Sequence, residues 1–137
     1  MKPDIEGYWT LPSGILPDQQ DIMHIQAGRI VHLVTIENEP LKRIPMILWF
    51  EAQSEDTFIV RNRPKSVAWT VAMRRDGADL MIVNRKQVFR CLRLPDSGVP
   101  AWFQTELDHA YIKMDSIEKQ IIESASQAQG SQKTPLN

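Results

Sequence analysis

Apolar and polar residues alternate along the chain from Gly7 to Leu94, and turn-forming residues interrupt the alternation about every ten positions. This pattern is typical of short antiparallel strands in a sandwich or a barrel. It predicts eight strands, at residues 7–11, 21–26, 29–37, 44–53, 57–63, 66–75, 78–84 and 87–94. Because the connections are short, consecutive strands pair as hairpins, and eight of them can close an antiparallel up-and-down barrel without exposed edges.

A different period follows Leu94. The apolar residues there recur at steps of three and four, and they are Phe103, Leu107, Ala110, Tyr111, Met114, Ile117 and Ile121. This spacing predicts one C-terminal amphipathic α-helix over about residues 100–126, with an apolar stripe that packs on the outside of the barrel. Residues 127–137 are polar and low in complexity, so we expect a flexible tail. The chain is therefore interpreted as a single mainly β domain over 1–126, followed by that tail.

The turns predict which side chains face the inside of the barrel, because residues directly opposite each other in an antiparallel pair share a face. We place a three-residue turn at 54–56 and two-residue turns at 27–28, 64–65, 76–77 and 85–86. The turn at 76–77 sets Met73 opposite Leu80. Together the turns predict an interior of Leu48, Phe50, Ala52, Phe58, Val60, Val67, Trp69, Val71, Met73, Leu80, Ile82, Phe89 and Cys91.

Several polar residues share this inward face. Three of them lie beside turns at one end of the barrel: Asn62, Asn84 and Gln87. An apolar cavity with amides at its mouth is a common form of small-molecule site, in which Trp69 and His32 would contact the ligand from within. Two alternatives stay open: strand ends are often simply polar, and an inward histidine is often a satisfied wall residue. His24 falls on the opposite face from His32, so the two cannot share a metal ion.

The triplet Gly7-Tyr8-Trp9 opens the first of the eight predicted strands, and the helix follows the eighth. This arrangement resembles the lipocalin and calycin superfamily, in the form of a small bacterial-type lipocalin-like domain. The resemblance implies that the tryptophan after Gly7, which is Trp9, plugs the closed end of the barrel. It also implies that a basic residue late in the last strand packs across that indole, and Arg93 is the first candidate and Arg90 the second.

The composition is that of an ordinary globular protein, with 42% apolar residues, 24% charged residues and a formal net charge of -1. We therefore expect neither nucleic acid nor a membrane as partner, since both call for a basic stripe or a long apolar segment. No signal segment is evident, so a cytoplasmic location is predicted. With the lone Cys91 and scattered histidines, the sequence predicts no disulfide, no metal site and no cofactor.

These observations support three hypotheses about function. The first is a non-enzymatic module that holds a small apolar or amphipathic molecule inside the barrel, through Trp69, His32 and the three amide side chains. The second is an interaction protein of the inhibitor or immunity type with a solid core, which would use its outer face around Trp49 and the helix; a homodimer or a protein partner stays open. The third and least favoured is an enzyme that uses His32 and an arginine.

Overall fold

The computed structural model describes residues 4–12, 20–36 and 42–133 of the 137-residue chain. Its strands are β1 (Gly7–Pro12), β2 (Gln20–Gln26), β3 (Arg29–Ile36), β4 (Lys42–Ala52), β5 (Thr57–Arg61), β6 (Trp69–Asp76), β7 (Asp79–Asn84) and β8 (Gln87–Leu94). Each strand pairs antiparallel with the next, and β8 pairs with β1, so the sheet closes into a barrel. A short 3₁₀ turn at Asp96–Gly98 precedes α1 (Ala101–Lys133). The predicted mainly β, eight-stranded up-and-down barrel with a C-terminal helix is confirmed.

Most of the predicted strand pairings are confirmed, because the turns fall where the backbone can adopt them. Ala27 and Gly28 both have positive φ, 51° and 79°, as a tight type I′ hairpin requires. The pairs that follow from the predicted turns are Met23 with His32, Phe50 with Val60, Val60 with Trp69, and Ile82 with Phe89. The strand register thus directs most of the predicted side chains inward, although Ala52, at the end of β4, is exposed.

The turn between β6 and β7 differs from the predicted turn. It comprises Gly77 and Ala78 rather than Asp76 and Gly77, so Met73 lies opposite Ile82 and not opposite Leu80. Gly77, with φ of 62°, takes the first central position, which is where a type II′ hairpin places its glycine. The pairing slips by two residues, and an even slip leaves every side chain on its predicted face.

The inside of the barrel is an apolar cluster. Its buried members include Trp9, Phe58, Met73 and Leu80, and partly buried Phe50, Trp69 and Phe89 pack against them. Val67 is a wrong prediction, since 90% of its surface is exposed. The reason is that β5 ends at Arg61 and β6 begins at Trp69, which leaves Val67 in the connection between them.

The helix covers part of the outer wall. Buried Phe103, Leu107, Ala110 and Met114 of α1 form a second apolar cluster with Ile22, Val31 and Leu33 of β2 and β3, and Trp49 packs against it. The helix is held at its middle by Arg29, which forms ion pairs with Asp115 and Glu118. It begins at Ala101 and continues to Lys133, past the end near residue 126 that the apolar stripe indicates. Residues 134–137 of the expected tail lie outside the described residues.

Candidate functional site

One end of the barrel is occupied by Trp9, which is fully buried. Its Nε1 donates a hydrogen bond of 2.9 Å to the carbonyl oxygen of Ile5. The guanidinium of Arg93 lies over the indole, with Cζ 4.3 Å from the ring centroid, and its Nη1 donates to the carbonyl oxygen of Glu6 at 2.7 Å. A cation over an indole face gains roughly 0.5–2 kcal/mol. We call this end, with Trp9 and Arg93, the floor of the barrel.

The sequence reasoning missed a second cation at the floor. Arg75 places its Cζ 5.3 Å from the Trp9 ring centroid, while its Nη1 pairs with Asp4 at 2.8 Å. The sequence did indicate this position, because Arg75 follows Met73 by two residues and therefore shares its inward face. Arg90, the second candidate for this role, lies instead on the outer face, where it pairs with Asp76 and Asp79.

Gly7 makes room for the Arg93 side chain. Its φ of 129° is a conformation that residues with a side chain rarely adopt, and a Cβ built at this position runs into the Arg93 guanidinium. The same backbone therefore requires glycine for two reasons, the dihedral angle and the close approach of a charged group.

A cavity of about 220 Å³ opens inside the barrel, between the floor and the opposite end. Its walls are mostly apolar. The lining residues are Leu11, Met23, Ile30, His32, Met46, Leu48, Val60, Trp69, Val71, Met73, Ile82, Asn84, Gln87 and Phe89. The end away from the floor, which we call the mouth, carries two described connections, 62–68 between β5 and β6 and 85–86 between β7 and β8.

The structure brings four of the five predicted ligand-contact residues to this cavity: His32, Trp69, Asn84 and Gln87 line it. Asn62 does not belong to the lining. It lies exposed in the 62–68 connection, where its Oδ1 accepts a hydrogen bond from Ser66 Oγ at 3.2 Å. Because β5 ends one residue earlier, Asn62 is not held on the inward face by strand pairing.

His32 is oriented by a buried carboxylate. Its Nε2 lies 3.1 Å from Oδ2 of Asp21, a residue of which only 3% is exposed. A carboxylate oxygen accepts, so this contact places the proton on Nε2 and leaves Nδ1 as the second polar atom of the ring. The sequence reasoning missed Asp21, although it precedes inward-facing Met23 by two residues on the same strand.

Asn84 offers an unsatisfied group to the cavity. Among the described residues, its buried Oδ1 has no hydrogen-bond partner. Leaving a buried acceptor unpaired costs about 1–3 kcal/mol. An O–H or N–H group of a bound molecule would remove that cost. Asn84 pairs with Gln87 across the 85–86 turn, on the wall of β7 and β8, whereas Asp21 and His32 belong to β2 and β3 on the facing wall.

A second polar cluster lies outside the barrel, beneath α1. His24 Nδ1 and Tyr111 Oη are 2.7 Å apart, and the rings of Tyr8 and His24 have centroids 4.4 Å apart. Gln104 Nε2 donates to Tyr8 Oη at 2.9 Å. Burial lowers the pKa of His24 below 6.5 and raises the pKa of Tyr111 to about 12. The cluster therefore joins helix to barrel through neutral groups.

The remaining candidates for chemistry are inert or dispersed. Cys91 is fully buried in the inner cluster, and this burial raises the pKa of its thiol to about 11, so it is a poor nucleophile at neutral pH. Within residues 4–12, 20–36 and 42–133, no group of three or more His, Cys, Asp or Glu side chains is arranged to hold a metal ion.

Across the part of the chain that the structure describes, no helix combines the length and apolar character that crossing a membrane requires. Comparison of the chain with protein-family models, with curated proteins and with solved structures finds no match. The class of protein shown here is thus an eight-stranded antiparallel barrel with a C-terminal helix.

Proposed function

We propose that this protein is a lipocalin-like binding module that holds a small, largely apolar molecule inside its barrel. The observation that carries the proposal is the cavity of about 220 Å³, which is apolar on its walls and polar at Asn84, Gln87 and His32. A concave apolar site with a few placed polar groups is the usual form of a small-molecule site. The proposal involves no chemical step, and Cys91, buried with a thiol pKa raised to about 11, is not placed to act as a nucleophile.

Apolar burial supplies the affinity in this proposal. Each square ångström of apolar surface removed from water contributes roughly 25 cal/mol. The pocket is lined by residues such as Leu48, Val60 and Phe89, and the inner cluster around Trp9 closes it below. Asn84 Oδ1 adds direction, since it selects molecules that bring an N–H or O–H group to the mouth.

The test is a titration with N-phenyl-1-naphthylamine, an apolar dye that carries one N–H donor and fluoresces when it leaves water. We expect saturable binding to the wild type. Leu48→Trp, which fills the cavity, should weaken binding at least about tenfold. The matched control is Thr70→Trp, which adds the same side chain at an exposed position of β6. Equal dye binding by both variants, with thermal melting showing both folded, would place the dye outside the barrel and contradict the proposal.

A further variant tests the role of Asn84. Asn84→Leu removes the unsatisfied acceptor, so the free protein should keep or gain stability while affinity for the dye falls by roughly fivefold to tenfold. These opposite signs distinguish a ligand contact from a structural role, because a structural asparagine would lose stability and affinity together. The measurements are urea unfolding without dye and a dye titration of the same variant.

A second candidate function, self-association, has its own observation. The outer wall of β7 and β8 is not covered by the helix cluster and exposes Val88 at 61% and Leu92 at 47%. Val83 lies directly opposite Val88 and is also exposed. Val83 and Val88 form an exposed apolar pair, and Leu92 lies beyond Arg90 on the same face; exposed apolar patches often mark an interface. Sedimentation velocity should then show a dimer that Val88→Asp converts to a monomer, and a monomeric wild type would exclude this candidate.

A further inference from the structure

The mouth of the barrel carries basic side chains that have no acidic partners in the described structure. The two described connections at this end contribute exposed Arg63, Lys65, Arg85 and Lys86, and none of the four forms an ion pair with a described residue. Neither connection contains an acidic residue. The segments 13–19 and 37–41, which carry Asp18, Glu37 and Glu39 in the sequence, lie outside the described residues.

Three arginines near the floor do have partners. Arg75 pairs with Asp4, and Arg90 pairs with both Asp76 and Asp79. Arg93 is satisfied by a backbone carbonyl and by the Trp9 ring. Among the described residues, Arg75, Arg90 and Arg93 near the floor are thus satisfied, although exposed Arg74 of β6 forms no ion pair, whereas the basic groups in the described turns of the mouth have no acidic partner.

Two of these basic residues are adjacent in the sequence to residues that line the cavity. Arg85 and Lys86 are the two turn residues between Asn84 and Gln87, both of which line the cavity. Two acidic groups lie nearby. The Asp21 carboxylate is buried against His32, and Glu123 of α1 borders the same surface hollow as Arg63 and Lys65 without an ion pair to either.

We propose that the ligand is an anionic amphiphile, whose apolar part fills the barrel while its carboxylate or similar group remains at the mouth beside Arg85 and Lys86. This inference rests on the proposed binding function and names the chemical class of its ligand. Clustered charges of one sign at a cavity raise the local concentration of opposite charge. The group stays partly in water, so the attraction is screened by salt and the anion avoids the cost of full burial.

The experiment compares two probes that share a tail and an amide N–H for Asn84 and differ in charge. Octanoylglycine carries a carboxylate, and octanoylglycinamide is neutral. Each displaces N-phenyl-1-naphthylamine from the whole chain, at about 20 mM and about 500 mM salt. We expect octanoylglycine to bind roughly fivefold tighter at low salt, and most of this preference to disappear at high salt.

Variants locate the effect. Arg85→Gln with Lys86→Gln should lower the affinity for octanoylglycine by roughly threefold to fivefold and leave octanoylglycinamide unchanged. The matched control is Arg74→Gln with Lys113→Gln, which removes the same charge from exposed positions of β6 and α1. It should change neither affinity.

The outcomes separate this inference from the binding function itself. If both probes bind equally, or if the mouth and control variants act alike, the anionic class is wrong while the binding module stands. If the dye binds but neither probe displaces it, the same conclusion follows. If neither dye nor probes bind the wild type, the proposed function fails and this inference fails with it.

Discussion

The guanidinium of Arg93 lies over the indole of Trp9, with its Cζ 4.3 Å from the ring centroid, and a Cβ at position 7 would run into that guanidinium. Gly7→Ala should therefore destabilise the protein by about 1–3 kcal/mol, through an unfavourable φ and a displaced Arg93. Urea unfolding followed by circular dichroism measures the change.

The control for this variant is Gly77→Ala. Gly77 also has positive φ, 62°, but a Cβ there meets nothing within 4 Å. Its replacement should cost about 1 kcal/mol, from backbone strain alone. Equal losses in the two variants would show that the contact with Arg93 is not what requires glycine at position 7.

We expect acid to weaken the docking of α1 through His24, which contacts Tyr111 of the helix. Burial lowers its folded-state pKa below 6.5, while Asp96 and Glu6 act in the opposite direction, and Tyr111 and Tyr8 face the ring. His24 therefore binds a proton more readily in the unfolded chain than in the folded protein. The stability that neutral His24 contributes is present above pH 6.5 and is lost as the pH falls below that value. We expect the melting temperature to drop between about pH 7.5 and pH 5.5.

His24→Gln should flatten that part of the pH profile, because glutamine has no proton to gain. His109→Gln is the comparison, since His109 is an exposed residue of α1, the helix that His24 contacts through Tyr111. If both variants keep the wild-type slope of stability against pH, protonation of His24 does not govern the acid sensitivity.

Cys91 should resist modification in the folded protein. It is fully buried, and the pKa of its thiol is raised to about 11, so little thiolate exists at neutral pH. Iodoacetamide should label it at least about a hundredfold more slowly in buffer than in denaturant. Ser97→Cys adds a thiol at an exposed position and should react quickly under the same conditions. Rapid labelling of wild-type Cys91 would contradict the buried placement.

Phe103 anchors the start of α1, where it is fully buried against Leu33 and its neighbours. Phe103→Ala should cost about 3–5 kcal/mol, because it empties the centre of the outer cluster. Trp102→Ala, at the neighbouring residue, is the control. Trp102 is more than one-third exposed and stacks under Arg43, so its loss should cost about 1 kcal/mol or less. A similar cost for both would mean that the helix is not held by this contact.

The inward face of the barrel was predictable from the sequence alone. Alternation of apolar residues and the turn residues at 27–28 and 85–86 determine pairing, and pairing determines which side chains share a face. For this reason the inward placement of His32, Trp69 and Asn84 follows without coordinates, and it survives the two-residue slip at Gly77. Where a strand ends depends on more than neighbouring residues. Val67 and Asn62 were therefore assigned to the inward face, although both lie in the connection between β5 and β6.

Only the tertiary structure decided the rest. The local pattern shows that Asp21 and Arg75 point inward, but the partners His32 and Trp9 come from other strands of the barrel. The ion pairs were also decided only by the tertiary structure, because a net charge near zero does not show which charged residues pair. Contacts of this kind depend on strand tilt and closure, which are properties of the whole sheet, whereas alternation is a property of neighbouring residues in the chain.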